Sequence, residues 1–206
     1  MNIDYKIAAD AISFYESNGY KYIEAPWIVS KEALLITAPL VLNKEDMEAS
    51  NPGNLVASGE QSFLEMILNN KLSEGKYCCA TPCFRPFDDL KDGIHFPTFF
   101  KVELIEYIGN TQLSHQDIAS KIDSMLEKAI LFMENILGKE SGEELVIESI
   151  IDEDRAGCSS SCCLDVVMPV TKMELGSYGF RIAPKIGSWI YGTGVALPRL
   201  TIAGEK

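Results

Sequence analysis

The sequence predicts a mixed α/β (α+β) domain whose strands follow one another as hairpins. Three observations carry that expectation. The runs GKYCCATPCFR (75–85) and PTFFKVELIEYIG (97–109) read as two strands joined by a polar loop, 86–97. Further strand-like runs crowd the last third of the chain, so the strict βαβ alternation of a parallel sheet is missing. One long helical pattern, 115–137, lies between these two groups of strands.

Each element has a local reason. YKIAADAISFYES (5–17) carries apolar residues at helical spacing and stops at Gly19. YKYIEAP (20–26) alternates like a strand and ends at Pro26, and a less regular stretch follows with a turn in ASNPGN (49–54). NLVASGEQSFLEMILNN reads as a short strand, a turn at 58–60 and a helix to about Asn70. In the long helix, Ile118, Ile122, Met125, Leu126, Ala129, Met133, Ile136 and Leu137 form one apolar stripe. Ser114 is placed to cap that helix and Gly138 to stop it. ELVIESIID, CLDVVMPV, MELGSYGFRIA and SWIYGTG are further strands, and VALPRLTIA reads as the opening of a short helix.

With 206 residues the chain is sized for one domain, and its 47% hydrophobic and 23% charged residues are ordinary for a soluble globular protein. No apolar run reaches the roughly 18 residues of a membrane span, and MNIDYKIAAD is no signal peptide. The expected location is cytoplasmic. A net charge of −12 with no basic block supplies no general affinity for nucleic acid, so a small-molecule or protein partner is expected over extended tRNA or DNA contacts. Cys78, Cys79, Cys83 and Cys158, Cys162, Cys163 form two clusters without CxxC spacing, which reads as reduced, mostly buried thiols.

The hairpin carries unusual chemistry for a structural element: a fixed cation at Arg85, rings at Phe96, Phe99 and Phe100, and acids at Glu103 and Glu106. An arginine between strands is most often a surface ion pair, and such phenylalanines are most often core. Alternation, however, puts Phe100 and Val102 on one face and Phe99, Lys101 and Glu103 on the other. A ring that shares a face with two charged side chains is less expected of pure core.

Three separated segments resemble the signature motifs of class II aminoacyl-tRNA synthetases. The first helix with NGYKYIEAP resembles motif 1, CFRPFDDLKDGIHFPTFFKVELIEY resembles motif 2, and GTGVALPRL resembles motif 3. Their order and spacing agree with the family, and together they span most of the chain. The resemblance implies a six- or seven-stranded, mainly antiparallel sheet flanked by helices, forming a single catalytic domain over 1–206. Because the motifs span the chain, no separate tRNA- or anticodon-binding domain is expected; the resemblance also implies a homodimer through residues 5–26.

It also implies an ATP-dependent ligase, a nucleotide-binding enzyme that activates an amino acid or related carboxylic acid as its adenylate. Arg85 would grip the α-phosphate and the substrate carboxylate. Arg199 would take the γ-phosphate and stack on the adenine, with Phe99 on the other adenine face and His95 by the bent triphosphate. Glu174 would bind magnesium and ATP. ASGE (57–60) resembles the T-x-E loop that holds the amino acid's ammonium, with Ser58 in place of threonine and Glu60 as counter-charge. Glu60 could equally serve only the start of its helix. Glu103 and Ser177 would line the substrate side.

The chemistry gives these types independent sense. Adenylate formation brings a carboxylate against a phosphate, and fixed guanidinium groups offset that repulsion with bidentate geometry. The attacking carboxylate is already ionised, so no general base is required. The chain departs from the family pattern at Phe87, Thr98, Ala196 and Pro198. Asp88 or Asp89 could replace the acid expected at Phe87.

Two subgroups come nearest. CFR and Glu103 resemble zinc-dependent seryl synthetases and the amino acid:carrier-protein ligases, in which Cys83 and Glu103 would hold zinc; the third cysteine of that set falls near Gly192, so the set is incomplete. PCFR, MELGS and SWIYGTG resemble pyrrolysyl, phosphoseryl and phenylalanyl synthetases, which implies no structural zinc. The acceptor implied is a carrier protein, a tRNA or a small molecule. A non-catalytic module that keeps the fold without adenylation is the alternative, although both arginines and Phe99 are retained.

Overall fold

The glycine-rich run near the end of the sequence lies at the centre of the sheet. The computed structural model describes residues 3–39, 54–85, 92–138, 145–151 and 155–205. Helices α1 (Tyr5–Ser17), α2 (Lys31–Ile36), α3 (Gly59–Leu68), α4 (His115–Leu137) and α5 (Arg199–Gly204) surround strands β1 (Lys21–Tyr22), β2 (Gly75–Phe84), β3 (Thr98–Gly109), β4 (Val146–Ser149), β5 (Ser159–Val167), β6 (Glu174–Ala183) and β7 (Gly187–Leu197). The strand order is β1-β2-β3-β7-β6-β5-β4. Only the β1–β2 pair is parallel; the other five pairs are antiparallel. Among the described residues no helix is long and apolar enough to cross a membrane.

One sheet face is covered by α1 and α4. The cap of α4 is a full capping box, in which Ser114 and Asp117 each satisfy the other's backbone, and Gly138 ends the helix at φ 71°. Its stripe buries Ile118, Ile122, Met125, Leu126, Ala129 and Met133 as expected, and also Phe132, while Ile136 and Leu137 are only partly buried. In α1, Asp4 caps the first turn and Ala8, Ala11 and Tyr15 are buried. The Tyr15 hydroxyl donates to the Gly194 carbonyl at 2.8 Å. A Cβ on Gly194 would lie 2.7 Å from the Tyr15 ring and one on Gly192 2.5 Å from the Met125 sulfur, so both glycines of GTG serve close packing on this face.

Among the described residues the opposite face is covered only in part. Helix α3 lies over β2 and β3 with Phe63, Leu64 and Ile67 buried against Cys79, Ile105 and Trp189. The remainder of that face forms the candidate site.

Several boundaries differ from the sequence-based expectation. Strand β1 is two residues long, not the expected run to Pro26, because only Lys21 and Tyr22 pair with β2. Helix α2 falls in the stretch read as irregular, capped by Ser30. Leu55 makes an isolated bridge with Ile28 in place of a strand. Strand β5 begins at Ser159, ahead of the expected CLDVVMPV, and β7 continues through the glycines to Leu197, so α5 opens only at Arg199. Residues 49–53 of the expected turn, and Phe87, Asp88 and Asp89, lie outside the described residues.

Candidate functional site

Two β-bulges decide which side chains share the open face. Between β3 and β7 the register slips at Gly194, so Val102 pairs with Val195 but Glu103 pairs with Thr193. Between β5 and β6 it slips at Leu175, so Glu174 and Ser177, three apart in sequence, point the same way. A polar row thus crosses the sheet: Glu103 on β3, Thr193 on β7, Ser177 on β6 and Asp165 on β5. The Ser177 N–H donates to the Thr193 hydroxyl at 3.4 Å.

Arg85 follows the last residue of β2. Its own N–H donates to the Pro97 carbonyl at 2.8 Å, which fixes the hairpin just before the loop. Its Nε donates to the Ala57 carbonyl at 2.9 Å, and the guanidinium carbon lies 5.1 Å from the Phe99 ring centroid. Arg199 opens α5, donating through Nε to the Ile94 carbonyl at 3.0 Å and approaching Glu174 Oε2 at 3.3 Å. Burial raises the Glu174 pKa, but Arg199, with Lys101 and Arg85, outweighs that effect and holds the carboxyl below its ordinary value. Arg85, Phe96, Phe99, Lys101, Glu174 and Arg199 line one pocket, together with Ile94 and Ala196–Pro198. The space between these side chains is ≈ 370 Å³ with the open solvent at its mouth included.

Phe99 faces this pocket and Phe100 packs on the α1 side, its ring 5.4 Å from Tyr5. The expected division of faces therefore matches the strand. His95 is placed differently from its neighbours. Asp92 accepts from the Ile94 and His95 backbones at 3.0 and 2.8 Å and meets His95 Nδ1 at 2.5 Å. The Ile94 N–H and His95 hold the Asp92 carboxyl well below the usual range. Ile94 and Phe96 line the pocket, whereas His95 is tied to this loop turn.

Farther along the same face, Ser58 is the N-cap of α3, and its hydroxyl donates to Glu103 Oε1 at 2.6 Å. Gly59 makes that approach fit, since a Cβ there would stand 2.8 Å from Glu103 Cγ and 2.9 Å from Thr81 Oγ1. Lys101 Nζ lies 3.4 Å from Glu103 and donates to the Thr193 hydroxyl at 3.1 Å. Glu60 has a different partner from the one expected. It is 7% exposed, its Oε2 is 2.5 Å from Arg181 Nη1, and its Oε1 accepts from Trp189 Nε1 at 2.7 Å. Its counter-charge is therefore engaged by the protein. Arg181 in turn lies 3.9 Å from the Tyr191 ring centroid.

The zinc expectation gains no third ligand. Among the described residues no three His, Cys, Asp or Glu side chains gather as a metal-binding group. Cys83 pairs with Phe99 and Glu103 with Cys79, four rungs apart on the open face, while the notional side chain of Gly192 points to Met125 and Tyr178 on the other. Burial, then Glu103, pushes the Cys83 thiol up to about 11, and burial pushes Cys79 well above its ordinary value. Cys78, Cys79, Cys83 and Cys163 are buried, Cys158 is half-buried and Cys162 is exposed.

The two carboxylates of the return strand part company. Glu103 faces the site, whereas Glu106 points to α4 and pairs with Lys121 and with Lys76. Sequence reasoning missed Thr81, Thr193 and Arg181 as members of this face. Thr81 is fully buried, and its hydroxyl has no hydrogen-bond partner among the described residues. Its alternation with Cys79 and Cys83 was the only signal available.

No protein-family model matches the chain. It is 30% identical to a serine–tRNA ligase of Mycoplasma mycoides subsp. mycoides over 60% of this chain and 30% of that enzyme, and 33% identical to one of Mycoplasma capricolum subsp. capricolum over 46% and 24%. The match thus spans less than a third of these curated relatives' length. Among solved structures, a cytoplasmic serine–tRNA ligase of Naegleria fowleri in complex with AMP superposes with a TM-score of 0.69 at 18% identity, covering 96% of this chain and 46% of that one. The pyrrolysyl-tRNA synthetase of Desulfitobacterium hafniense gives 0.66 at 18% identity, covering 97% and 68%. The chain has a class II aminoacyl-tRNA synthetase-like core fold.

Proposed function

We propose that this chain is an ATP-dependent ligase that joins an amino acid or related carboxylic acid to AMP. The observation that carries the reading is the convergence of Arg85, Phe99, Glu174 and Arg199 on one pocket. A carboxylate oxygen attacks the α-phosphorus, the bond to the bridging oxygen breaks, and pyrophosphate leaves with the electron pair. Arg85 offsets the repulsion between carboxylate and phosphate, and Arg199 holds the leaving phosphates. The ring of Phe99 gives the base a stacking face. Magnesium commonly takes one or two protein carboxylates and completes its shell with substrate phosphates, so the single ionised Glu174 suits it. When bound, the ion would neutralise phosphate charge. Ser58, Glu103, Thr193 and Ser177 present hydrogen-bonding groups to the acid.

ATP–pyrophosphate exchange, screened across the amino acids, tests this function. Exchange with at least one acid supports it; ATP binding without exchange for any acid would leave the non-catalytic module instead. The net charge of −12 weighs for a carrier protein or small molecule over tRNA as acceptor.

Phe99→Ala should weaken ATP binding by about 1–3 kcal/mol, the usual worth of base–aromatic stacking, with little change in thermal stability. Phe100→Ala should instead lower folding stability by about 3 kcal/mol, the low end for a phenylalanine truncation because Phe100 is only partly buried. Calorimetric ATP titration and melting curves on both variants separate the two roles. The reverse pattern would reject them.

The dimer reading draws support from the apolar surface beside motif 1, where Tyr5, Trp27 and Ile28 are 65%, 55% and 63% exposed. Sedimentation at micromolar concentration should show roughly twice the 22.8 kDa chain mass. A single 22.8 kDa species would contradict it.

A further inference from the structure

Two backbone carbonyls from different segments orient the Arg199 guanidinium. Its Nη1 donates to the Glu174 carbonyl at 3.1 Å, and its Nε donates to the Ile94 carbonyl at 3.0 Å. Glu174 opens β6, where its pairing with Val167 on β5 holds the backbone. Ile94 precedes β3, in the hairpin loop, and its place depends on the turn around it.

That turn is built on Asp92. One carboxylate oxygen accepts from the Ile94 and His95 N–H groups at 3.0 and 2.8 Å, and the other meets His95 Nδ1 at 2.5 Å. Gly93 lies at φ 83°, the left-handed conformation that lets the chain fold back over the carboxylate. The His95 N–H and the Ile94 carbonyl belong to one planar trans peptide unit, so they point in opposite directions. A carboxylate that grips this N–H therefore aims the carbonyl behind it at Arg199.

We propose that Asp92 is a positioning residue for Arg199: it fixes the peptide whose carbonyl holds the guanidinium where the leaving phosphates of ATP lie. This inference rests on the adenylate-forming function proposed above. Its effect should fall on the nucleotide and spare the acid, because the Arg85 side chain is anchored elsewhere, on the Ala57 carbonyl.

ATP–pyrophosphate exchange and calorimetric ATP titration on three variants test it. Asp92→Ala should raise the KM and Kd for ATP by about tenfold or more while the KM for the acid moves less than about threefold, since a small misplacement of a positioned group is costly. Asp92→Asn keeps an oxygen acceptor for both backbone N–H groups and should stay within about threefold of the parent. Gly93→Val leaves the carboxylate in place but disfavours the left-handed turn, and should reproduce the Asp92→Ala pattern. A merely structural role would lower the fraction of folded protein, and so kcat, with both KM values unchanged.

Parent values for ATP in Asp92→Ala or in Gly93→Val overturn the inference. So does an Asp92→Asn variant as impaired as Asp92→Ala, which would make the carboxylate itself the ligand. These results leave the adenylating function intact. A parent without exchange for any acid overturns that function, and the ATP titration, which needs no turnover, still decides the role of Asp92. A parent that binds no ATP overturns both.

Discussion

Arg85→Ala is expected to lower ATP–pyrophosphate exchange by at least about 10²–10³-fold, the usual consequence of removing one preorganised donor from a developing anion. The side chain is held in place before any substrate arrives. Its Nε is fixed on the Ala57 carbonyl, and its plane is carried above Phe99. A guanidinium so anchored meets a carboxylate and a phosphate without reorganising, and its charge survives at any physiological pH. Stability should change far less than activity, because the hydrogen bond to Ala57 is worth about 1 kcal/mol and the stack on Phe99 is partly exposed. Arg85→Lys should recover only part of the loss, since an ammonium cannot bridge two anions in the same plane. Exchange within a few-fold of the parent, with the melting temperature unchanged, would remove Arg85 from the reaction.

Glu60→Gln is expected to have the largest effect on folding. Breaking a buried ion pair by removing one partner's charge typically destabilises by about 3–5 kcal/mol. For a chain of this size that corresponds to a melting temperature lower by roughly 6–20 °C. The amide would still reach Trp189, so the loss reports chiefly the charge withdrawn from the pair with Arg181. Pairing it with Arg181→Met should return most of the stability, because a buried ion pair replaced by well-packed neutral groups is often close to neutral. A thermal melt of Glu60→Gln indistinguishable from the parent would mean that the pair is not formed in solution.

The elements that could be read from residue order are those whose signals are local. Helices α1 and α4 run over the expected residues because cap, apolar stripe and stop all lie within their own segments. The β2–β3 hairpin and the separation of Phe99 from Phe100 follow from period-two alternation along an uninterrupted strand. Helix α2 was not legible, since six residues carry too little periodicity to stand out from a loop. Strand β1 shrank to two residues for a related reason: alternation marks a segment that can pair, and the neighbouring strand decides how much of it does.

The candidate site divides along the same line. The sequence, read with its resemblance to the class II motifs, determined that a fixed arginine, a ring and a second arginine stand in an order suited to binding anions. Only the tertiary structure decided that Arg85 and Arg199 line the same pocket, that Glu60 belongs to Arg181, and that Glu103 and Glu106 serve opposite faces. It also decided that Glu174 and Ser177 point together and that Thr193 faces Glu103. These facts depend on two bulges and on contacts between residues far apart in the chain. A bulge inverts alternation by inserting one residue against a partner strand, and an ion pair forms wherever packing brings its members together. Both are properties of the neighbour as much as of the segment, so neither is written into any one segment's local pattern.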